Sequence, residues 1–208
     1  MIATADVQHE PLFQVEDLWA QPLTLNPTKT AVLWDRMGQF PRLFATEQET
    51  TFESFRRIME DRQTVLLGFH RNEEREPMGL AMIEDIIPGI EATIQVSFFD
   101  RKLKGREPLV REFVRWVFDT LRTERIATRI AGDAVWMQDF FGRVGLYFEG
   151  VKKNWFRKDG KVADLHWYGV TRPEVDEAWA KGQTMPRPRV RLIRFGEATP
   201  PRPEARYE

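Results

Sequence analysis

The chain has 208 residues, 31 basic side chains against 32 acidic ones, and a net charge of −1, so a single domain with appendages is expected and no whole-protein field gathers nucleic acid or anionic membrane. It contains no cysteine, which excludes disulfides and thiolate chemistry, and its three histidines (His9, His70, His166) lie far apart in sequence, which argues against a histidine-rich metal centre. No apolar run has the length of a membrane span, and the opening MIATADVQHE lacks the basic-then-apolar order of a secretory leader, so a cytoplasmic protein is expected.

In chain order, residues 1–24 read as an N-terminal arm leading into a first strand near Pro22–Leu25. Thr28–Met37 and Thr50–Asp61 carry helical spacing, the second with Phe52, Phe55, Ile58 and Met59 on one face. Thr64–His70 and Met78–Ile87 are apolar strands, and Pro88-Gly89 turns the chain into Ile90–Phe99. That strand alternates, with Ala92, Ile94, Val96 and Phe98 on one face and Glu91, Thr93, Gln95 and Ser97 on the other. The loop DRKLKGRE leads to a helix over Pro108–Arg122, with proline at the first helical position. A short strand, Ile126–Ala131, precedes a helix capped by Asp133 and ending near Val144.

Leu146–Trp155 and Val162–Tyr168 form a hairpin turning at Asp159-Gly160. TRPE (Thr171–Glu174) is a capping box opening a last helix to Lys181. From Met185 the chain holds five prolines and six arginines and reads as an extended tail. The expected fold class is α+β: a mostly antiparallel sheet with helices on both faces and a strand–helix–strand crossover in the middle. The domain spans 25–181, between the arm at 1–24 and the tail at 182–208.

Three strings resemble the GNAT superfamily, which transfers acyl groups from coenzyme A to amines. They are IQVSFFDRKLKGREPLVREFVRW, then FFGRVGLYFEG (Phe140–Gly150), then the hairpin VKKNWFRKDGKVADLHWYGVTRPE. In the second, Arg143, Gly145, Leu146 and Glu149-Gly150 fill the family's places; in the third, Asp164 and Tyr168 match the subgroup that acetylates ribosomal-protein N-termini. The similarity runs from Pro22 to Val170 and implies a GNAT-like fold.

It further implies acetyl-coenzyme A as the acyl donor and no metal. The cofactor would lie at Phe99, Leu103, Lys104, Gly105 and Arg106, because a pyrophosphate needs backbone N–H groups at a helix start. Gly105 can fill either the first or the second glycine of the family's loop. Glu107 places a carboxylate there, Pro108 removes an N–H, and Leu109 adds bulk. The family's frequent tyrosine acid falls at Phe141, which has no proton to give, and its usual asparagine falls at Ala134. Glu84 and Glu91 are candidate bases for the amine, with Gln95 and Ser97 on the polar face of Glu91.

Two function classes stand. One is an acetyltransferase acting on a primary amine, either a small molecule or a protein N-terminus. The other is a non-catalytic module of the same fold within a larger assembly such as a phage virion, docked through residues 1–24 and 185–208. A third, nucleic-acid binding through KLKGR and VKKNWFRKDGK with Trp155 and Phe156 interleaved, is opposed by the near-zero net charge.

Overall fold

The computed structural model describes residues 10–38, 51–61, 63–72, 76–99, 104–158 and 161–183. Its first elements, β1 (Phe13–Val15) and β2 (Leu18–Pro22), form a hairpin. The sheet therefore takes residues 13–22 out of the expected arm, and the first strand comes earlier than Pro22–Leu25. The reason is burial: Leu18 and Ala20 are fully inside, and two such side chains account for most of what a short strand can contribute. The proline- and arginine-rich tail falls outside the described residues, apart from its first two positions.

Helix α1 (Pro27–Gly38) starts at Asn26, whose Oδ1 accepts the Lys29 N–H at 2.8 Å, an N-cap with proline next in line. Helix α2 (Phe52–Met59) is capped by Thr51, which accepts the Ser54 N–H at 3.2 Å. Three antiparallel strands follow, β3 (Val65–Arg71), β4 (Gly79–Ile87) and β5 (Glu91–Phe98). Helix α3 (Arg106–Leu121) crosses over to β6 (Arg125–Ala131), which lies parallel to β5. Helix α4 (Val135–Val144), the long hairpin β7 (Tyr147–Lys158) and β8 (Lys161–Thr171), and α5 (Arg172–Ala180) complete the order. The capping box at Thr171–Glu174 forms, with proline in the first turn of α5.

The eight strands lie in one sheet in the order β1-β2-β3-β4-β5-β6-β8-β7. On one face Ala92, Ile94, Val96, Ile126 and Ile130 pack with Val110, Phe113, Val114 and Val117 of α3 and Phe140, Phe141 and Val144 of α4. On the other face α1 and α2 set Leu33, Met37, Phe55 and Met59 against Leu66, Leu80 and Phe99. Helices thus cover both faces, as the alternating pattern required. One prediction on β5 needs correcting. Thr93, assigned to the polar face, is 1% exposed, because it is flanked by β4 and β6 and the ion pair described below crosses over it.

Candidate functional site

Strands β5 and β6 pair only through Glu91↔Arg125, Ala92↔Ile126 and Thr93↔Ala127. Beyond that level each stays bonded on its outer side, β5 to β4 as far as Phe98↔Gly79 and β6 to β8 as far as Ala131↔Leu165. Their inner edges part, and a wedge of unpaired backbone opens toward the C-terminal ends of both strands. A parallel sheet places its ligand crevices at such strand ends.

Helix α3 starts just past β5. Gly105 enters it with φ 79°, a left-handed conformation that glycine adopts without a Cβ penalty. A Cβ there would also lie 3.0 Å from Leu18 Cδ1. The first helical bond is Leu109 N–H to Gly105 O at 3.0 Å, so the N–H groups of Arg106 and Glu107 have no acceptor within the helix. The helix begins two residues before the expected Pro108, which sits at the third helical position. Its missing N–H still falls among those that a helix start leaves over.

The side chains around this start are drawn toward α4. The Arg106 guanidinium lies 5.5 Å from the Phe140 ring centroid, and Phe140 in turn meets Phe98 edge-on at 6.2 Å. The Glu107 carboxylate is paired with Arg143 at 2.7 Å, and Arg111 donates to the Arg143 carbonyl at 2.7 Å. Leu109 is fully buried against the sheet and adds no bulk at the helix start. Lys104 is exposed.

Phe99 is placed differently from the expected cofactor residue. Its N–H donates to Met78 O at 2.9 Å, and its ring packs among the α1–α2 residues with the Arg36 guanidinium 5.1 Å away. Leu103 lies outside the described residues.

The opposite face of the parting strands is charged. Glu84 Oε1 accepts from Gln95 Nε2 at 2.6 Å and pairs with Arg129, which also reaches Asp85 at 2.9 Å. Among the described residues Glu84 Oε2 accepts no hydrogen bond. A register shift between Glu84 and Ile87 puts Asp85 at φ 48°, and a bulge of this kind re-aims side chains. Arg125 holds Glu91 and Glu149 together.

Gly169 is what lets Glu149 reach across β8, since a Cβ there would fall 2.5 Å from Glu149 Oε1. Glu84, Glu91 and Ser97 are therefore not gathered. Glu91 sits where the strands are joined, and Ser97 lies six residues further on, roughly 20 Å away at ~3.3 Å per residue.

Helix α4 is capped by Ala134 without a side-chain bond, one residue beyond the expected Asp133. Phe141 is fully buried and meets Phe140 edge-on at 5.5 Å. A phenol is nonetheless held against this helix: Tyr168 Oη donates to Gln138 Oε1 at 3.5 Å. Burial, and secondarily the Asp139 carboxylate, pushes its pKa up from 10.0.

Asp164 accepts the N–H of Asn154, at φ 54°, at 2.8 Å, which fixes the irregular stretch of β7. His70 is buried, with its ring stacked on Trp19 at 4.5 Å. Arg125 and Arg129 escaped sequence reading, and Glu149 was read only as a motif position, not as a partner of Arg125. The period-two spacing of Arg125 and Arg129 on β6 was the available signal, since it puts both on the face of Glu91 and Gln95. Among the described residues no group of three or more metal-ligating side chains occurs, and no helix is long and apolar enough to cross a membrane.

No protein-family model matches the sequence, and no curated protein is similar to it. Solved structures are similar in fold. A probable GNAT-family acetyltransferase from Chromobacterium violaceum superposes with a TM-score of 0.65 at 18% identity, covering 78% of this chain and 87% of that one. Spermidine N-acetyltransferase from Vibrio cholerae, solved with CoA and spermine, gives 0.64 at 12% identity, covering 76% and 96%. Ribosomal-protein-S5-alanine acetyltransferase from Vibrio fischeri gives 0.59 at 13%, covering 76% and 95%. At these identities the likeness is one of fold: the chain has the GNAT fold.

Proposed function

We propose that the protein transfers an acetyl group from acetyl-coenzyme A to a primary amine. The observation that carries this reading is the parting of β5 and β6 beside the start of α3, in a chain whose fold is similar to that of acetyltransferases, one of them solved with CoA.

In this reading the pyrophosphate lies on the N–H groups of Gly105, Arg106 and Glu107, where the helix dipole favours an anion. Lys104 and Arg106 add charge, and the Arg143 bridge turns the Glu107 carboxylate aside. The pantetheine arm enters the wedge and takes hydrogen bonds from the free edge of β5 beyond Thr93. The amine approaches from the charged face, and Glu84 Oε2 takes its proton as nitrogen attacks the thioester carbon. The C–S bond then breaks, and Tyr168, which burial keeps protonated, is the phenol that returns a proton to the thiolate. Glu91 is occupied by Arg125 at the joined end and has no part in the step. Positioning, rather than covalent catalysis, supplies most of the acceleration.

Calorimetric titration with acetyl-coenzyme A tests the reading. Saturable binding that is lost in Arg106→Glu, with circular dichroism unchanged, is the expected result. One observation favours a non-catalytic module of the same fold, namely Phe141 in place of a phenol on α4. Absence of saturable binding with any acyl-coenzyme A would overturn the transferase reading. Of the arms through which such a module would dock, residues 13–22 are strands of the sheet and residues 184–208 lie outside the described ones.

A further inference from the structure

On the charged face a row of alternating rings and cations runs out from the parting strands. Arg129, which holds Glu84, lies 5.8 Å from the Trp167 ring centroid. Lys152 lies 5.9 Å from Trp167 on its other flank and 3.6 Å from Trp155. Trp155 is 55% exposed, at the outer strand of the sheet. The row thus joins the proposed amine site to the β7–β8 hairpin without a break.

Its two ends differ in charge. At the inner end, four carboxylates (Glu84, Asp85, Glu91, Glu149) surround two guanidiniums, leaving an excess of negative charge. At the outer end, the sequence from Val151 to Asp164 holds five cations and two carboxylates, in a chain whose net charge is −1. Lys152, Lys153, Arg157 and Lys161 are all exposed.

We infer that the amine substrate is the N-terminus of a peptide whose following residues are acidic, with its ammonium drawn to Glu84 and Asp85 and its carboxylates lying on the hairpin lysines. This rests on the acetyl-transfer reading and names the substrate class. The span fits: from β4 to β7 is four interstrand steps, roughly 20 Å at ~4.8 Å each, or about six residues of extended chain. Acidic side chains a few residues past the amine therefore reach Lys152 beside Trp167, while Trp155 and Trp167 offer apolar surface to the segment between.

Charge favours this class over the alternatives. A polyamine, the ligand of one structure of similar fold, meets like charge at the hairpin. A nucleic acid meets the carboxylate excess at the inner end. A second copy pairing along β7 would set lysine against lysine, the usual protection of an exposed edge.

The test is fluorescence anisotropy with the full-length protein and labelled short peptides carrying a free α-amine. One has acidic residues from its third position on, one has their amide counterparts, and one has lysines; spermidine and an oligothymidylate serve as competitors. The acidic peptide is expected to bind at least about tenfold more tightly than its amide counterpart, a difference of about 1.4 kcal/mol. That preference should shrink with salt and reverse toward the lysine peptide in Lys152→Glu/Lys153→Glu. Lys152→Arg should retain it, which separates charge from hairpin folding.

Equal binding of the acidic and amide peptides, or displacement by spermidine or oligothymidylate at lower concentration than by the acidic peptide, would overturn the inference. Release of free CoA from acetyl-coenzyme A is read separately. Selective peptide binding without release would fail the transferase reading alone. Release with spermidine but not with the acidic peptide would fail this inference alone.

Discussion

The two faces of the sheet are made by the same strands and have opposite characters. On the α3–α4 side, Phe113, Phe118, Phe140 and Phe141 are each at most 2% exposed and bring a continuous apolar cluster onto β5 and β6. On the other side, the same two strands present Glu91, Gln95, Arg125 and Arg129, which α1 and α2 leave uncovered because they pack on β3 and β4 instead. The difference teaches that stability and chemistry are divided by residue parity along one strand, so changes on one face should leave the property of the other nearly intact.

The largest effect belongs to the apolar face. Phe113→Ala is expected to cost ~3–5 kcal/mol through lost burial and the cavity left behind, read by urea denaturation, whereas Gln95→Ala should cost under about 1 kcal/mol. Comparable losses from both would break the division.

On the charged face, Glu84→Gln should lower the turnover of acetyl transfer about 100-fold while melting temperature and acetyl-coenzyme A affinity stay near the wild-type values, since Asp85 still pairs with Arg129. At the start of α3, Arg143→Ala frees the Glu107 carboxylate and should weaken acetyl-coenzyme A binding about fivefold, in keeping with a charge near a helix end; calorimetry measures it.

Gly169→Ala pushes only the end of a flexible side chain aside. Its stability cost should be about 1 kcal/mol or less, yet a crystal structure of the variant should show the Arg125–Glu149 pair broken. The smallest effect concerns Tyr168, the polar exception within the apolar cluster. Its pKa is raised by burial, so the folded state keeps its proton after the unfolded chain has lost it. The stability linked to it is complete below pH 10 and is lost as pH rises through the folded pKa. Tyr168→Phe should flatten that alkaline decline in denaturation curves.

Local pattern made much of the fold legible. The period-two run of β5 and the capping box of α5 each depend on neighbours a few residues away, and each is found where the spacing places it. Boundaries moved where long-range burial overrode them, as when Leu18 and Ala20 drew residues 13–22 into the sheet.

The site was legible only as a set of candidates. Glu84 and Glu91 have equal standing as acidic residues on adjacent strands. Only the register, which sets Glu91 opposite Arg125 and sends Arg129 across β5 to Glu84, tells them apart. Glu107 likewise reads as an obstruction to an anion until α4 brings Arg143 to it.

The lack of cysteine, the balanced charge and the order of helix and strand signals were decided by the sequence, because composition and periodicity are properties of the chain alone. Where β5 and β6 part, how Glu84 is set apart from Glu91, and how Lys152 comes to face the same side as Glu84 were decided by tertiary structure. Each of these depends on distances between residues far apart along the chain, and those distances exist only once the strands have taken their register.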